Sequence, residues 1–153
     1  MKSIAIFKET AESNGAAFKT FVDRVVQATA GKRFSRLDEK HLQDGLNQCF
    51  VVAGMKPSRE FELGRGEQSP DESGLLSVAA NDLDRPDFFF FDGGFVVECK
   101  VDGGFNSHLR QCHRYAAHSC VNGVLLIAMR PYDMPESLCG KPVACLNFAL
   151  KCL

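Results

Sequence analysis

Apolar positions along the chain recur with two periods, and the change from one to the other marks out the elements. In "AAFKTFVDRVVQATAG", Phe18, Phe21, Val22, Val25 and Val26 return at helical spacing, and Gly31 supplies a stop. From about Asp38 to Ala53, Leu42, Leu46, Cys49, Phe50 and Ala53 form one apolar stripe, and Ser35 with Asp38 fits a capping box at its start. After Pro57 the period drops to two. "REFEL" alternates and predicts a short strand, "GRGEQSPDESG" is polar and punctuated by turn formers, and "LLSVAA" adds a strand or returns the chain to the core. "PDFFFF" and "FVVECKV" then read as two apolar strands joined at Asp92-Gly93-Gly94, a hairpin turn. "NSHLRQCHRYAAHSC" predicts a third helix, capped by Asn106 or Ser107 and ending near Asn122-Gly123. "GVLLIAM" is a wholly apolar strand and "PVACLNFAL" a last one.

The predicted order is helix, helix, strand, hairpin, helix, strand, strand: an α/β sandwich with a mixed central sheet flanked by helices. Its 153 residues fit a single domain over 1–153, large enough to bury roughly two thirds of the unfolded chain's surface. No apolar run approaches the ~20 residues of a membrane span. The N-terminal "MKSIAIFKETAES" has an apolar run of only four residues, too short for a signal peptide. The expectation is therefore a cytoplasmic protein with no membrane partner. Seven cysteines without a secretory signal read as reduced thiols, several of them small buried apolar residues. A net charge of −1 argues against a protein that coats polyanions, but a site that holds cationic metal must itself be acidic.

One stretch does not read as ordinary core. In "RPDFFFFDGGFVVECKV", Asp87 opens the first strand while Glu98 and Lys100 interrupt the second. Residues two apart on a strand share a face, so Glu98 and Lys100 point one way and Val97, Cys99 and Val101 the other. Asp87 precedes Glu98 with ten residues between them, and a tight hairpin can bring the two together. Converging carboxylates repel each other, and a divalent cation removes that penalty. Hard oxygen ligands favour Mg²⁺ or Mn²⁺. Lys100 could then orient or help deprotonate a water, or stabilise charge on a phosphate. The bland alternative is a structural Glu98–Lys100 ion pair with Asp87 merely near the turn. Pro70-Asp71 repeats the dipeptide, but in the polar loop, where no strand would fix the aspartate.

The flanking helices carry further candidates. Glu39 stands three residues before Leu42 and seven before Leu46, on the apolar stripe, where a carboxylate needs a partner. Metal would be one, and simple complementation of the helix dipole is the alternative. Asp38 is better placed as the cap, and Glu62 on "REFEL" is a reserve. On the third helix, Gln111 and Tyr115 are four apart and share a face about a third of a turn from the Leu109, Cys112, Ala116 stripe. His108, Arg110, His113, Arg114 and His118 on the same helix would suit a phosphate backbone, or equally an ordinary solvated face.

Pro86-Asp87, ten residues, then Glu98-Cys99-Lys100 resembles the motif of the PD-(D/E)xK nuclease superfamily. The order of predicted elements from about residue 36 to 130 also resembles that family's restriction-endonuclease-like α-β-β-β-α-β core, with the first helix as an N-terminal addition. Gln111-x-x-x-Tyr115, eleven residues after the lysine, looks like the additional motif of the RecB-like and CRISPR-associated exonuclease branches. The resemblance implies that Asp87 and Glu98, with Glu39 and the Cys99 backbone carbonyl, hold one or two Mg²⁺ or Mn²⁺ ions. It implies that Lys100 positions the attacking water, that Gln111 and Tyr115 orient lysine and substrate, and that Arg110, Arg114 and His108 lie near the phosphates. The implied activity is metal-dependent hydrolysis of phosphodiester bonds, with DNA as the default. An RNA- or tRNA-cleaving toxin-type nuclease is an alternative, in which the loop at 64–74 would grip tRNA. A catalytically silent nucleic-acid-binding or assembly module on the same fold is the alternative from another class. Dimerisation would extend the limited grip of one small domain. Some RecB-like nucleases hold an iron–sulfur cluster with one early cysteine, here Cys49, and three late ones close together. Cys139, Cys145 and Cys152 are separated by five and six residues, and "PVACLNFALKCL" reads as a strand, which spreads them apart. Cys112, His113, His118 and Cys120 match no zinc-module spacing, so buried thiols are the default.

Overall fold

The computed structural model describes residues 2–63 and 84–151, with side chains from residue 13 onward. Helix α1 (Lys2–Ala28) and α2 (Glu39–Val52) come first. Strands β1 (Ser58–Arg59), β2 (Phe88–Phe90) and β3 (Phe95–Lys100) follow, then α3 (Phe105–Ala116), β4 (Gly123–Ala128), β5 (Ser137–Leu138), β6 (Lys141–Asn147) and a 3₁₀ turn at Ala149–Lys151. The strands form one mixed sheet in the order β1-β2-β3-β4-β6-β5. β3, β4 and β6 run parallel, and the outer pairs are antiparallel.

The sheet separates two apolar layers. Phe18, Phe21 and Val25 of α1 and Leu42, Leu46 and Phe50 of α2 pack with Phe88, Phe90, Val97, Cys99, Leu125 and Ile127 on one face. Cys112, Tyr115 and Ala116 of α3 pack with Phe89, Val96, Val124 and Val143 on the other. The alternation along β2 and β3 follows from the strand period of two. β4 lies in the middle of the sheet with all six residues buried, as a continuous apolar run in a parallel sheet should. A mixed α/β architecture with flanking helices thus agrees with the sequence reading.

Several boundaries differ. α1 starts at Lys2, well before the apolar stripe. Ser13, Asn14, Ala16 and Ala17 are exposed, so the stretch just before the stripe has no core to face and leaves no periodic signal. "REFEL" is not a strand over its length. β1 ends at Arg59, and Glu60 takes a positive φ of 50°, which breaks the ladder. Asp38 caps α2 by accepting from Lys40 N at 2.8 Å, but Ser35 accepts from Leu37 N instead of completing a capping box. α3 is entered from Gly104 with no side-chain cap and stops at Ala116. The two-residue β5 was not predicted. The loop at 64–74 with its Pro70-Asp71, the "LLSVAA" segment and Cys152 lie outside the described residues.

The feature that shapes the site is a mismatch in strand length. β2 pairs Phe88 with Val97 and begins there, while β3 runs on through Glu98, Cys99 and Lys100. The edge of β3 beyond Val97 is therefore not covered by β2. At the other end of the hairpin, Gly93 and Gly94 adopt φ of 97° and 72°, and a Cβ on Gly94 would meet the Cys120 carbonyl oxygen at 2.6 Å. Only glycine suits that position.

Candidate functional site

Asp87 fills the edge that β2 leaves open. Its Oδ2 accepts the Cys99 backbone N–H at 2.7 Å, taking the place a strand partner would have had. Its own backbone N–H points at Glu98 Oε2, 3.2 Å away. Asp87 and Glu98 are thus locked to each other by backbone geometry, as the hairpin spacing anticipates. A residue's N–H and C=O leave an extended strand on the same side, so the Cys99 carbonyl faces this same opened edge. The Cys99 thiol is turned into the apolar layer below.

Glu98 is buried, with its side chain 4% exposed. Its Oε1 lies 3.0 Å from Lys100 Nζ, and its Oε2 accepts the Tyr115 hydroxyl at 3.1 Å. Lys100 reaches across to the first turn of α2, where Glu39 Oε1 is 3.7 Å away. Glu39 is therefore part of the constellation. One helical turn on, Gln43 donates from Nε2 to Asp87 Oδ1 at 2.8 Å. α2 thus contributes two residues from one face, at i and i+4, to opposite sides of the site. Gln43 escaped the sequence reading. Its spacing from Glu39 was the available signal.

From the other side of the sheet, Tyr115 is 1% exposed, and its hydroxyl accepts from Gln111 Nε2 at 2.9 Å. The pair holds Glu98 directly and Lys100 only through Glu98, so the implied orientation of the lysine is indirect. Burial, followed by the neighbouring Glu98 carboxylate, pushes the Tyr115 phenol well up, and it stays a neutral donor. Next to it a clamp ties down the approach to Asp87. Asp84 accepts from His118 Nε2 at 2.8 Å and from Arg114 Nε at 3.1 Å. No sequence spacing pointed to this clamp, because its members are 30 and 34 residues apart.

The cations of α3 separate. Arg110 is exposed with no ion pair among the described residues, and Arg114 is taken up by Asp84. His108 leaves the set of phosphate contacts that the sequence predicted. It is 4% exposed, its Nε2 is 3.0 Å from the Asp102 carbonyl oxygen, and it lies edge-on to Tyr132. Gly103, at φ of 104°, makes room for that ring. Burial, helped by nearby Lys100, lowers its pKa and keeps the ring neutral.

The electrostatics are those of an acidic pocket. Burial pushes the Glu98 carboxyl up to about 7, and the Asp87 charge adds to it against the pull of Lys100. Burial also raises Asp87, with Glu39 adding to it and the Cys99 N–H opposing it. Burial alone would lower Lys100, but Glu98, Glu39 and Asp87 outweigh it and hold the ammonium above its ordinary value. Once the raised carboxyls have lost their protons, three carboxylates against one ammonium leave two negative charges unmatched, the charge of one divalent cation.

Whether the residues converge on such an ion is a separate matter. Among the described residues no group of three His, Cys, Asp or Glu side chains stands at ligating distance from a common point. The reason is visible: Lys100 Nζ lies between Glu98 and Glu39, and both Asp87 oxygens accept hydrogen bonds from protein donors. Each carboxylate oxygen keeps a second lone pair. The donor chemistry fits Mg²⁺ or Mn²⁺, provided Lys100 withdraws from the carboxylates. Among the described residues no three cysteines gather. Cys49, Cys99 and Cys112 are buried and Cys139 is exposed in the β5–β6 turn. Comparison with family profiles, with curated proteins and with solved structures finds no match to this chain.

Proposed function

We propose that the protein is a divalent-metal-dependent nuclease that hydrolyses phosphodiester bonds, with DNA ahead of RNA as substrate, built on a restriction-endonuclease-like α-β-β-β-α-β core. The observation that carries the reading is the meeting of Asp87, Glu98 and Lys100 at one uncovered sheet edge, with Glu39 facing them from α2. The order α2-β1-β2-β3-α3-β4 and the contact of Gln111 and Tyr115 with Glu98 support it.

Asp87, Glu98, Glu39 and the Cys99 carbonyl would hold Mg²⁺ or Mn²⁺, which lowers the pKa of a bound water and neutralises charge growing on the phosphate. The chain's own residues supply the rest. Lys100, held protonated by its carboxylate neighbours, is a hydrogen-bond donor to the water or to a phosphate oxygen, rather than a base. Tyr115 and the Asp87 N–H fix the orientation of Glu98, and Gln43 that of Asp87. Such fixed donors and acceptors act on the developing charge without reorganising during the reaction.

The test is cleavage of linear duplex, single-stranded and branched DNA and of total tRNA in Mn²⁺, Mg²⁺ or EDTA, with Lys100→Ala alongside. The expected result is metal-dependent cutting that the variant loses while its circular dichroism stays that of the parent. Preference for tRNA would move the assignment to the RNA-cleaving alternative. Absence of cutting on every substrate, with no thermal shift on adding Mn²⁺, overturns the nuclease reading in favour of a silent binding module.

A further inference from the structure

A groove of about 490 Å³ opens beside the site, lined by Arg36, Leu37, Val101, Asp102, Met129 and Arg130. It sits at the C-terminal ends of β3 and β4, where parallel strands in open α/β sheets deliver their ligand-binding loops. One wall continues directly from Lys100 through Val101 and Asp102, and the other leads through Leu37 into the cap and Glu39. The floor is joined to the site by a backbone bond, from Met129 N to Lys100 O at 3.1 Å. A polymer whose reacting phosphate rests against Lys100 has this groove as its neighbouring channel.

The lining is of two kinds. Arg36 and Arg130 are both exposed on the rims, and Arg36 makes no ion pair among the described residues. Arg130 pairs with Asp102 at 2.8 Å, but the two side chains are 55% and 86% exposed. So exposed a pair is worth little and can be exchanged for a phosphate. Asp102 is the one acidic group of the lining, and it faces Arg130. The floor is apolar, with Met129 buried and Val101 half-buried, and Leu37 stands 91% exposed on the rim. An intact duplex turns its phosphates outward and keeps its bases stacked inside, so an apolar floor gains nothing from it. A single strand offers phosphates to the guanidinium groups and an unstacked base to the apolar floor.

We infer that this groove binds single-stranded DNA adjacent to the reacting phosphate, Arg36 and Arg130 holding its phosphates and Leu37 with the half-buried Val101 receiving a base. The inference rests on the nuclease reading for its substrate, and its test is kept separate from cleavage. Fluorescence anisotropy with the full chain in EDTA compares a labelled single-stranded DNA, the same sequence as a hairpin duplex, and the same sequence as RNA, across a salt series. The single strand is expected to bind at least about tenfold more tightly than the duplex. Arg36→Ala with Arg130→Ala should weaken single-strand binding about tenfold and reduce the slope of log K against log salt by about 1.4, two phosphates at about 0.7 each. Leu37→Ser should weaken single-strand but not duplex binding, and none of these exposed changes should move the melting temperature. Binding by the double variant equal to the parent's, equal loss of single strand and duplex in Leu37→Ser, or tighter duplex than single-strand binding overturns the groove assignment. Tighter binding of the RNA overturns the assignment to DNA. Arginine-dependent binding without any metal-dependent cutting would sink the nuclease reading alone, and cutting with arginine-independent binding would sink the groove alone.

Discussion

Glu98→Gln removes one buried charge with almost no change of shape, and the site dictates when that helps the fold. The Glu98 carboxyl is raised from 4.5 to about 7 by burial and by Asp87, with the attraction of Lys100 already included. A carboxyl raised on folding binds more protons in the native than in the unfolded state. Its contribution to stability is therefore fully present below 4.5 and lost as pH rises through about 7. Above that range the ionised Glu98 costs the fold about 3 kcal/mol, and the neutral amide avoids that cost. One loss offsets the gain. With its oxygen kept toward Lys100, the amide turns its NH₂ to Tyr115, whose hydroxyl accepts it and sends its own proton to the Arg85 carbonyl oxygen 3.4 Å away. The NH₂ also faces the Asp87 N–H, which loses an acceptor it reached at 3.2 Å. A bond that long is worth about 1 kcal/mol. The net at pH 8.5 is about 2 kcal/mol in favour of the variant, or about 4–8 °C in melting temperature for a chain of this size. At pH 4.5 the gain has largely vanished and the lost bond remains, so the variant should melt about 2–4 °C below the parent. Calorimetric melts in EDTA at the two pH values read the crossing directly. A variant less stable than the parent by the same amount at both pH values would refute the reasoning. It would mean that Lys100 fully compensates Glu98, as in a structural ion pair.

Mn²⁺ added to the full chain should raise its melting temperature, by about 2.7 kcal/mol in stability at one hundred times the dissociation constant, and Asp87→Asn should abolish the rise; an equal rise in the variant would place the ion elsewhere. Gln43→Ala removes the side-chain donor on Asp87 Oδ1 and should cost about 1.5 kcal/mol of stability at pH 8, as expected of a bond to a charged group. The cost should be less in acid, where the raised Asp87 carboxyl is protonated, and a pH-independent loss in chemical denaturation would contradict this. Gly94→Ala puts a Cβ 2.6 Å from the Cys120 backbone oxygen at a φ of 72° and should cost more than about 2 kcal/mol. Gly54→Ala, at a φ of 75° with nothing within 4 Å, should cost only about 1 kcal/mol, and equal losses would show that the contact does not matter.

Much of the site could be read from local pattern because it depends on the strand period and on polar residues in apolar places. Glu98 and Lys100 interrupt a buried strand, and Glu39 interrupts a helical stripe. Each anomaly corresponds to a charge whose partner is one of the others. The residues that escaped are those whose partners are distant and whose own positions look ordinary. Gln43 sits on a helix flank where a glutamine needs no explanation until Asp87 is brought to it. His108 reads in the sequence as one of the helix cations for a phosphate, whereas the loop at Gly103 folds over it. "REFEL" has the alternation of a strand, but β2 begins at Phe88, which Arg59 already pairs, so the residues after Arg59 have no strand residue opposite them. β5 has two residues and turns at Cys139, whose φ of 51° no propensity would assign to cysteine.

The late start of β2 also weighs on the alternative of a structural ion pair. If Glu98 and Lys100 were there only to satisfy each other, the economical surroundings would be neutral, with β2 extended to cover the edge of β3. Instead the chain stops β2 at Phe88, seals the edge with a second carboxylate, and aims a third at the same lysine from α2. Burial raises Asp87 and Glu98, and each added carboxylate raises them further, Glu39 acting on Asp87 and Asp87 on Glu98. With all three carboxylates ionised, such a group would lower its free energy by taking up positive charge, most of all as a compact dication. On the proposed metal-binding reading the arrangement would cost stability in isolation and recover it when a cation binds, the balance expected of a functional site.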